Sequence, residues 1–346
     1  MERPEPSPPM SVQPLSSAPP SERAARQQAW SRYWLAGPLH CLPGSFTGNY
    51  DGGIGAFWTD CFASLEAGHR VLDLCTGNGA LPAMLAQLRP DAGIQVDAVD
   101  LAELSPRWLS GLPDAAQRRI RFHGGVNAES LPFPDASFDL VVSQYGIEYT
   151  RHEASIAELA RTLRPGGRCA FVLHHAGSHL HAVATDEAAA ARILLDADGL
   201  LGHAASLLPY LALAAEGQVE RLRADPAANQ ARAEFNAAAQ AVGRSADSLR
   251  HPQMLLDAQQ WVVEMSNAVV QRRAGAGEAS ARLAEYRQDI ELAGLRSQEL
   301  CSHALDEAGF ERFSALLGAT GMSGVSGAPL WHRDYLVGWQ LRARRN

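Results

Sequence analysis

A chain of 346 residues with 46% apolar and 20% charged residues can hold one large α/β domain with an insertion, or two smaller domains. Its 38 acidic residues outweigh 30 basic ones, and the net charge of −8 argues against a nucleic-acid partner, which needs a basic face. Every basic residue is Arg, so neither a Schiff-base lysine nor a P-loop lysine is available.

The five cysteines, Cys41, Cys61, Cys75, Cys169 and Cys301, are scattered and show no C-x-x-C spacing. They suggest neither a disulfide framework nor a zinc site, and a reducing cytosol is the default. The N-terminus lacks a basic-then-apolar leader pattern, and the most apolar run, residues 204–215, is too short to span a bilayer and contains Pro209. These features lead us to expect a cytoplasmic protein with no membrane or metal partner.

Residues 1–28 are rich in Pro and Ser and poor in large apolar side chains, the composition of a disordered tail. Residues 29–66 crowd Trp30, Tyr33, Trp34, Phe46, Tyr50, Phe57, Trp58 and Phe62 among glycines. They suit a helical cap packed on the main domain; alternatively, part of 45–53 covers a ligand pocket, with Tyr50 and Trp58 as acceptor contacts.

From 67 to 177 strand and helix patterns alternate. Strands are expected at 71–74, at 94–99 running up to Asp100, at 120–123, at 138–143 and at 169–173. A helix at 80–88 stops before Pro90, and an amphipathic one at 154–163 stops at the LRPGG run. The strand at 138–143 is almost wholly apolar, as in parallel sheets buried on both faces. Such alternation implies a doubly wound sheet with right-handed crossovers. Residues 178–297 read as helical, with Leu255, Ala258, Val262, Met265 and Val269 forming one apolar face. A further helix is expected over 281–309 with Gly309 as its C-cap. In 298–346 the runs ERFSALL and YLVGWQLRAR look strand-like, separated by a Gly/Ser-rich loop holding Trp331 and His332. A helix and two last strands here would complete the interrupted sheet.

The stretch that organises the chain is VLDLCTGNGALPAML, residues 71–85, a strand ending in a glycine turn that opens into a helix. Glycines let a ligand approach the backbone, and the helix start offers free N–H groups. This stretch resembles motif I of class I S-adenosylmethionine (SAM) dependent methyltransferases, an acidic residue followed after three residues by Gly-x-Gly. Residues 124–143, GGVNAESLPFPDASFDLVVS, are similar to the segment of the type-11 group in which a polar-Ala-Glu run precedes LPF and FD-LV. The LRPGG before strand five fits that group too. The resemblance covers about residues 65–175 and implies a seven-stranded Rossmann-like sheet, with the helical block inserted after strand five, and SAM as cofactor.

By that resemblance the cofactor contacts are Asp73, Cys75, Gly77, Asn78, Gly79, Asp100, Leu101, Asn127, Ala128, Glu129, Gln144 and Tyr145. Asp100, at a strand end, accepts hydrogen bonds without competing donors, as two ribose hydroxyls require. Asn127 stands where the family usually has Asp, and an amide oxygen still accepts from an adenine amino group. Cys75 stands where many members carry Gly. Phe133 and Phe138 are expected in the core. Pro82 breaks the G-x-G-x-x-G fingerprint of a nicotinamide-binding domain. Ser143, Gln144, Tyr145 and Gly146 replace the Asn/Asp-Pro-Pro-Tyr/Phe run of enzymes that methylate bases or glutamine.

A small-molecule acceptor, methylated on O, N, S or C, is therefore the expected substrate. His174 and His175, directly after strand five in HHAGSHLH, are candidates for a base or an orienting pair. A plain polar loop is the competing reading; a metal site would have to recruit Asp186 or Glu187, since no acid lies inside the cluster. Tyr145, Glu148 and Tyr149 follow strand four, and Tyr149 is a candidate acceptor contact. The helical block would shape the acceptor site, form a homodimer interface, or both. A methyltransferase-like interaction protein, binding a protein partner through that block, is the alternative.

Overall fold

A computed structural model describes residues 20–41, 46–90 and 92–346 of the chain. The expected tail up to residue 19 and Ser45 of the 45–53 stretch lie outside these residues. Two compact units emerge, one formed by the chain up to His181 together with Glu299–Asn346, the other by Ala182–Gln298.

The first unit opens with helices α1 (Pro20–Ala36) and α2 (Gly52–Ala63). The strands β1 (Arg70–Leu74), β2 (Gln95–Asp100), β3 (Ile120–Gly124), β4 (Phe138–Gln144) and β5 (Leu163–Leu173) follow, with α3 (Ala80–Leu88) and a short α4 (Asp114–Gln117) between β1 and β3. Helix α5 (His152–Thr162) links β4 to β5. In the second unit and across its ends run α6 (His179–Leu195), α7 (Leu200–Ala215), α8 (Val219–Ala224), α9 (Pro226–Ser248), α10 (Gln253–Val270) and α11 (Ala276–His303). Helix α12 (Glu307–Ala319), β6 (Met322–His332) and β7 (Tyr335–Arg345) complete the first unit.

The seven strands lie in the order β3-β2-β1-β4-β5-β7-β6. The first five are parallel, and β7 inserts antiparallel between β5 and β6. Crossovers from β1 toward β2 and from β4 toward β5 run in opposite directions, so right-handed connections put α3 and α5 on opposite faces. Covered on both faces, β1 and β4 bury apolar side chains on each side: Leu72, Leu74, Phe138, Leu140 and Val141 are all buried. The main core joins Leu72, Leu74, Phe138 and Val141 to Phe171 and Leu341 of the sheet, Ile156 and Leu159 of α5, and Phe313 and Leu317 of α12. Phe133 packs against the same core, edge-on to Phe138.

The helical unit has a separate core. The predicted stripe Leu255, Ala258, Val262, Met265 and Val269 is buried throughout and meets Leu194, Leu201, Leu208, Val242 and Leu283. Asp225 caps α9 by accepting from the Ala227 and Ala228 N–H groups, with Pro226 in the first turn.

Five features differ from the sequence reading. Residues 20–28, assigned to the tail, lie in α1, because Arg26 forms a buried ion pair with Glu299, far along the chain. The LRPGG run belongs to the span of β5: the ladder with β4 jumps from Phe138–Leu163 to Leu140–Arg168, leaving the turn outside the pairing. The ERFSALL run is helical, since Phe313 and Leu317 point one way while Glu311 and Arg312 face water. Gly309 caps nothing; it sits in the first turn of α12, where its N–H donates to Asp306 Oδ1 at 2.7 Å. The Gly/Ser-rich stretch is the edge strand β6, whose backbone pairs along β7 despite its weak side-chain signal.

Candidate active site

The C-terminal ends of β1, β2 and β4 converge beside the point where strand order reverses, the place where open α/β sheets bind ligands. Asp73 of β1 is 2% exposed and accepts from Thr76 Oγ1 at 2.5 Å. Burial raises its pKa to about 8, against the Thr76 hydrogen bond and with the Asp100 charge adding to the rise. Asp100 ends β2: Oδ2 accepts from Gly77 N and Oδ1 from Ala102 N, each at 2.8 Å. Burial raises its pKa too, opposed by these N–H donors. Each oxygen keeps a second lone pair for a ligand hydroxyl.

Two neighbouring strand ends are held in the left-handed region, Cys75 with φ 55° after β1 and Tyr145 with φ 55° after β4. Non-glycine residues rarely adopt this conformation, and they concentrate at functional sites. Gly146 makes the arrangement fit, because a Cβ there would lie 2.3 Å from the Cys75 Cβ. At the end of β4, Gln144 Oε1 accepts from Trp58 Nε1 at 2.5 Å, while its buried Nε2 has no partner among the described residues. Beyond β3, Asn127 Oδ1 accepts from Glu129 N at 3.0 Å, and Glu129 Oε1 accepts from Arg151 N at 2.9 Å.

These groups surround one cavity, enclosing about 1130 Å³ of space between atoms including its mouth. Of the predicted cofactor contacts, Asp73, Cys75, Asp100, Leu101, Asn127, Ala128, Glu129, Gln144 and Tyr145 line it, and of the predicted acceptor contacts, Tyr50 and Tyr149 do. Gly77, Asn78 and Gly79 stand behind the wall. A side chain at Gly77 would strike the Trp34 indole at 2.6 Å, and one at Gly79 the Phe122 ring at 2.4 Å. Asn78 donates to the carbonyls of Trp34 and Pro38 at 2.7 and 2.8 Å and accepts from Ser105 N at 2.8 Å, which clamps the end of α1 onto the turn. Trp58 does not line the cavity and reaches the site through its hydrogen bond to Gln144.

The two candidate histidines also stand outside the wall. His174 is fully buried, with Nδ1 2.8 Å from Glu148 Oε1 and its ring stacked 4.3 Å from Tyr145, a cavity residue. His175 stacks 4.3 Å from Trp339, and its Nδ1 accepts from Gly177 N at 2.8 Å; burial lowers its pKa. His179 lies against Tyr335, and no three His, Cys, Asp or Glu side chains among the described residues gather where they could hold a metal ion.

The sequence reading missed Thr76 and the contribution of α1. Trp30, Trp34 and Arg26 line the cavity, Arg26 at 1% exposure. Its Nε lies 2.7 Å from Glu299 Oε1, and Trp30 Nε1 donates to Glu299 Oε2 at 3.0 Å. The aromatic crowding before residue 66 was a signal for this wall. Nothing near Arg26 announces its partner at the far end of the chain.

Residues 71–167 match the family model of the methyltransferase domain. The chain is similar to the ubiquinone/menaquinone biosynthesis C-methyltransferase UbiE of Shewanella halifaxensis, 34% identical over 115 residues, 31% of this chain and 43% of that protein. It is similar to the protein of the same name from Cupriavidus taiwanensis, 32% identical over 147 residues, 39% of this chain and 57% of that protein. The chain thus spans about half the length of the curated relatives it matches. Among solved structures, the [4+2]-cyclase SpnF is 23% identical over 45% of this chain and 61% of that chain, with a TM-score of 0.35. Residues 71–167 are a methyltransferase domain of the class I, SAM-dependent kind.

Proposed function

We propose that this protein moves the methyl group of SAM to a small organic acceptor held in the same cavity. The observation that carries the proposal is convergence: Asp73, Asp100, Asn127 and Gln144 from four separate strand ends face one cavity whose wall also holds five aromatic side chains, Trp30, Trp34, Tyr50, Tyr145 and Tyr149. The residues present fit the cofactor. Asp100 would accept from the ribose hydroxyls through its free lone pairs, and Asn127 with the Ala128 backbone would meet the adenine. The unpaired Gln144 Nε2 is a donor suited to a carboxylate, and buried Asp73 favours a neighbouring positive charge.

Bound there, SAM supplies an electrophilic methyl on a positively charged sulfur. What remains for the protein is alignment and exclusion of water, which together can be worth roughly 7–11 kcal/mol when the reacting atoms are held near attack distance. Trp30, Trp34, Tyr50 and Tyr149 form the side suited to an apolar or aromatic acceptor. His174, bonded to Glu148 and stacked on Tyr145, serves as a positioning residue for that tyrosine. The relatives' names describe methylation at carbon in making quinones, which supports a small-molecule acceptor over a macromolecule. Within the first unit, the N-terminal segment contributes Trp30, Trp34 and Tyr50 to the acceptor side.

Calorimetry with S-adenosylhomocysteine tests the cofactor half. Micromolar-range binding is expected, with a loss of at least ~100-fold in Asp100→Arg, where a cation replaces the ribose acceptor and clashes with the buried site. Transfer of labelled methyl to a low-mass fraction of a cell extract tests the acceptor half. No heat with either SAM or its demethylated product would sink the proposal. Binding without transfer to any fraction would favour the interaction-protein alternative.

A further inference from the structure

A second cavity, of about 710 Å³ including its mouth, opens on the sheet at β5, β6 and β7, with Asp60 and Cys61 of α2 in its lining. Its character differs sharply from the first, for three arginines line it: Arg168, Arg342 and Arg344. The antiparallel register sets Arg168 directly opposite Arg344, and Arg342 opposite Ala170. Residues two apart on a strand share a face, so all three guanidinium groups rise from one side of the sheet. Like charges directly opposite each other destabilise a sheet. In a chain with eight more acids than bases, such a cluster calls for an explanation.

The surrounding groups do not neutralise it. Asp60, the one acid in the lining, is 69% exposed and already bound to Arg342 at 2.6 Å. Arg344 Nε donates to Gly166 O at 3.1 Å, and Arg342 Nη2 to Phe57 O at 3.3 Å, both uncharged acceptors. Arg342 also lies over the Phe57 ring, 4.6 Å from its centroid, and its side chain meets the Cys61 sulfur, again uncharged groups. Arg168 has no side-chain hydrogen bond or ion pair among the described residues. Burial pushes the Cys61 thiol up to about 11 and the Cys169 thiol up to about 12, so neither contributes negative charge near neutral pH.

The backbone is shaped around the same spot. The β4–β5 ladder breaks just before Arg168, and the β6–β7 ladder breaks between Ser323 and Ser326, beside Arg344. Gly324, inside that second break, has φ 60° and open space where a Cβ would stand. Bulges flanking one strand pair re-aim side chains and open a sheet locally, and they recur next to binding sites.

We propose that this cavity binds a small tetrahedral oxyanion, a phosphate group either free or carried on a small metabolite, through Arg168, Arg342 and Arg344. The planar guanidinium fork matches two oxygens of such an anion at once, and several forks converging from one face suit a tetrahedral group. The anion also removes the repulsion between Arg168 and Arg344. The site is separate from the cavity at the C-terminal strand ends and does not depend on the methyltransferase proposal.

The test is titration calorimetry of the full chain with inorganic phosphate and, separately, glycerol 3-phosphate, at constant ionic strength made up with chloride. Saturable binding is expected, weakened at least ~10-fold in Arg168→Gln and weakened less in Arg168→Lys, which keeps the charge and loses the fork. Tighter binding of glycerol 3-phosphate would assign the site to a carried phosphate, and equal binding to the free ion. In phosphate-free buffer Arg168→Gln should melt ~1–3 °C higher than the parent, since it removes a like-charge pair. Phosphate should then raise the melting temperature of the parent more than that of Arg168→Gln. A cooperative melting transition and an unchanged circular dichroism spectrum report that each variant is folded. Absence of saturable heat with both probes, or equal binding by a folded Arg168→Gln, overturns the proposal.

Discussion

Asp73 illustrates how one buried residue ties the fold to the ligand. Its pKa is raised to about 8, chiefly by burial, so the folded chain holds a proton that the unfolded chain releases at much lower pH. Between the ordinary carboxylate range of about 4 and the raised value, the native state binds more protons, and stability therefore falls as pH rises through that window. Asp73→Asn removes the titration. The variant's melting temperature should change less between about pH 5 and pH 8 than the parent's. A cationic ligand beside the same carboxyl favours its ionised form, so affinity for SAM should rise over the upper part of that window with release of a proton. Calorimetry in two buffers of different ionisation enthalpy measures that proton. Identical pH slopes for parent and variant would remove Asp73 from both roles. Asp73 and Asp100 are legible from sequence because Asp100 ends β2 and Asp73 lies one residue before the end of β1. Gln144 is different: its importance lies in an unpaired Nε2 that appears only once Trp58 has taken its other end.

At the scale of elements, local pattern succeeds where one face is buried and fails at the sheet's last edge. The sequence reading has a strand within what is α12 and a loop where β6 runs. ERFSALL contains Phe and Leu in numbers that suit a strand, yet its apolar positions fall at Phe313 and Leu317, one helical turn apart. Asp306 decides where this helix starts, since its carboxylate meets the Gly309 N–H. Asp306→Ala should cost about 1 kcal/mol of stability, within the range of about 0.5–2 kcal/mol for lost N-caps, with binding of S-adenosylhomocysteine kept. Urea unfolding followed by circular dichroism measures it, and an unchanged midpoint would deny the cap any weight. Strand β6 escapes prediction for the opposite reason. An edge strand of Gly, Ser and Pro earns its conformation from backbone pairing with β7 and has little side-chain pattern of its own.

For the whole molecule, the division into two units has a consequence for binding. The helical unit carries its own core, and the first unit by itself supplies the groups proposed to hold the cofactor. The chain enters and leaves it near His181 and Cys301, where Cys301 Sγ lies 4.0 Å from the His181 carbonyl. Replacing residues 182–298 by a short Gly/Ser linker should therefore leave a folded first unit whose affinity for S-adenosylhomocysteine is within about threefold of the parent's, because the groups that would hold it are untouched. Loss of binding by a folded deletion would give the helical block a part in the site. No helix among the described residues is long and apolar enough to cross a membrane.

Short windows of residues were enough for the five parallel strands, the glycine turn after β1, the acidic strand ends and the apolar face of α10. Each of these depends on burial periodicity or on turn chemistry within a few neighbouring positions. Contacts between distant segments settled the rest. Arg26 enters the cavity wall only because Glu299 neutralises it, and His174 leaves the list of direct contacts because Glu148 and Tyr145 enclose it. The turn glycines Gly77 and Gly79 face Trp34 and Phe122. The arginine cavity likewise exists through the pairing of β5 with β7, two strands separated in sequence by the whole helical unit. A residue's type dictates which chemistry it can offer, but only the surrounding chain decides whether that chemistry faces a ligand, a partner or the core.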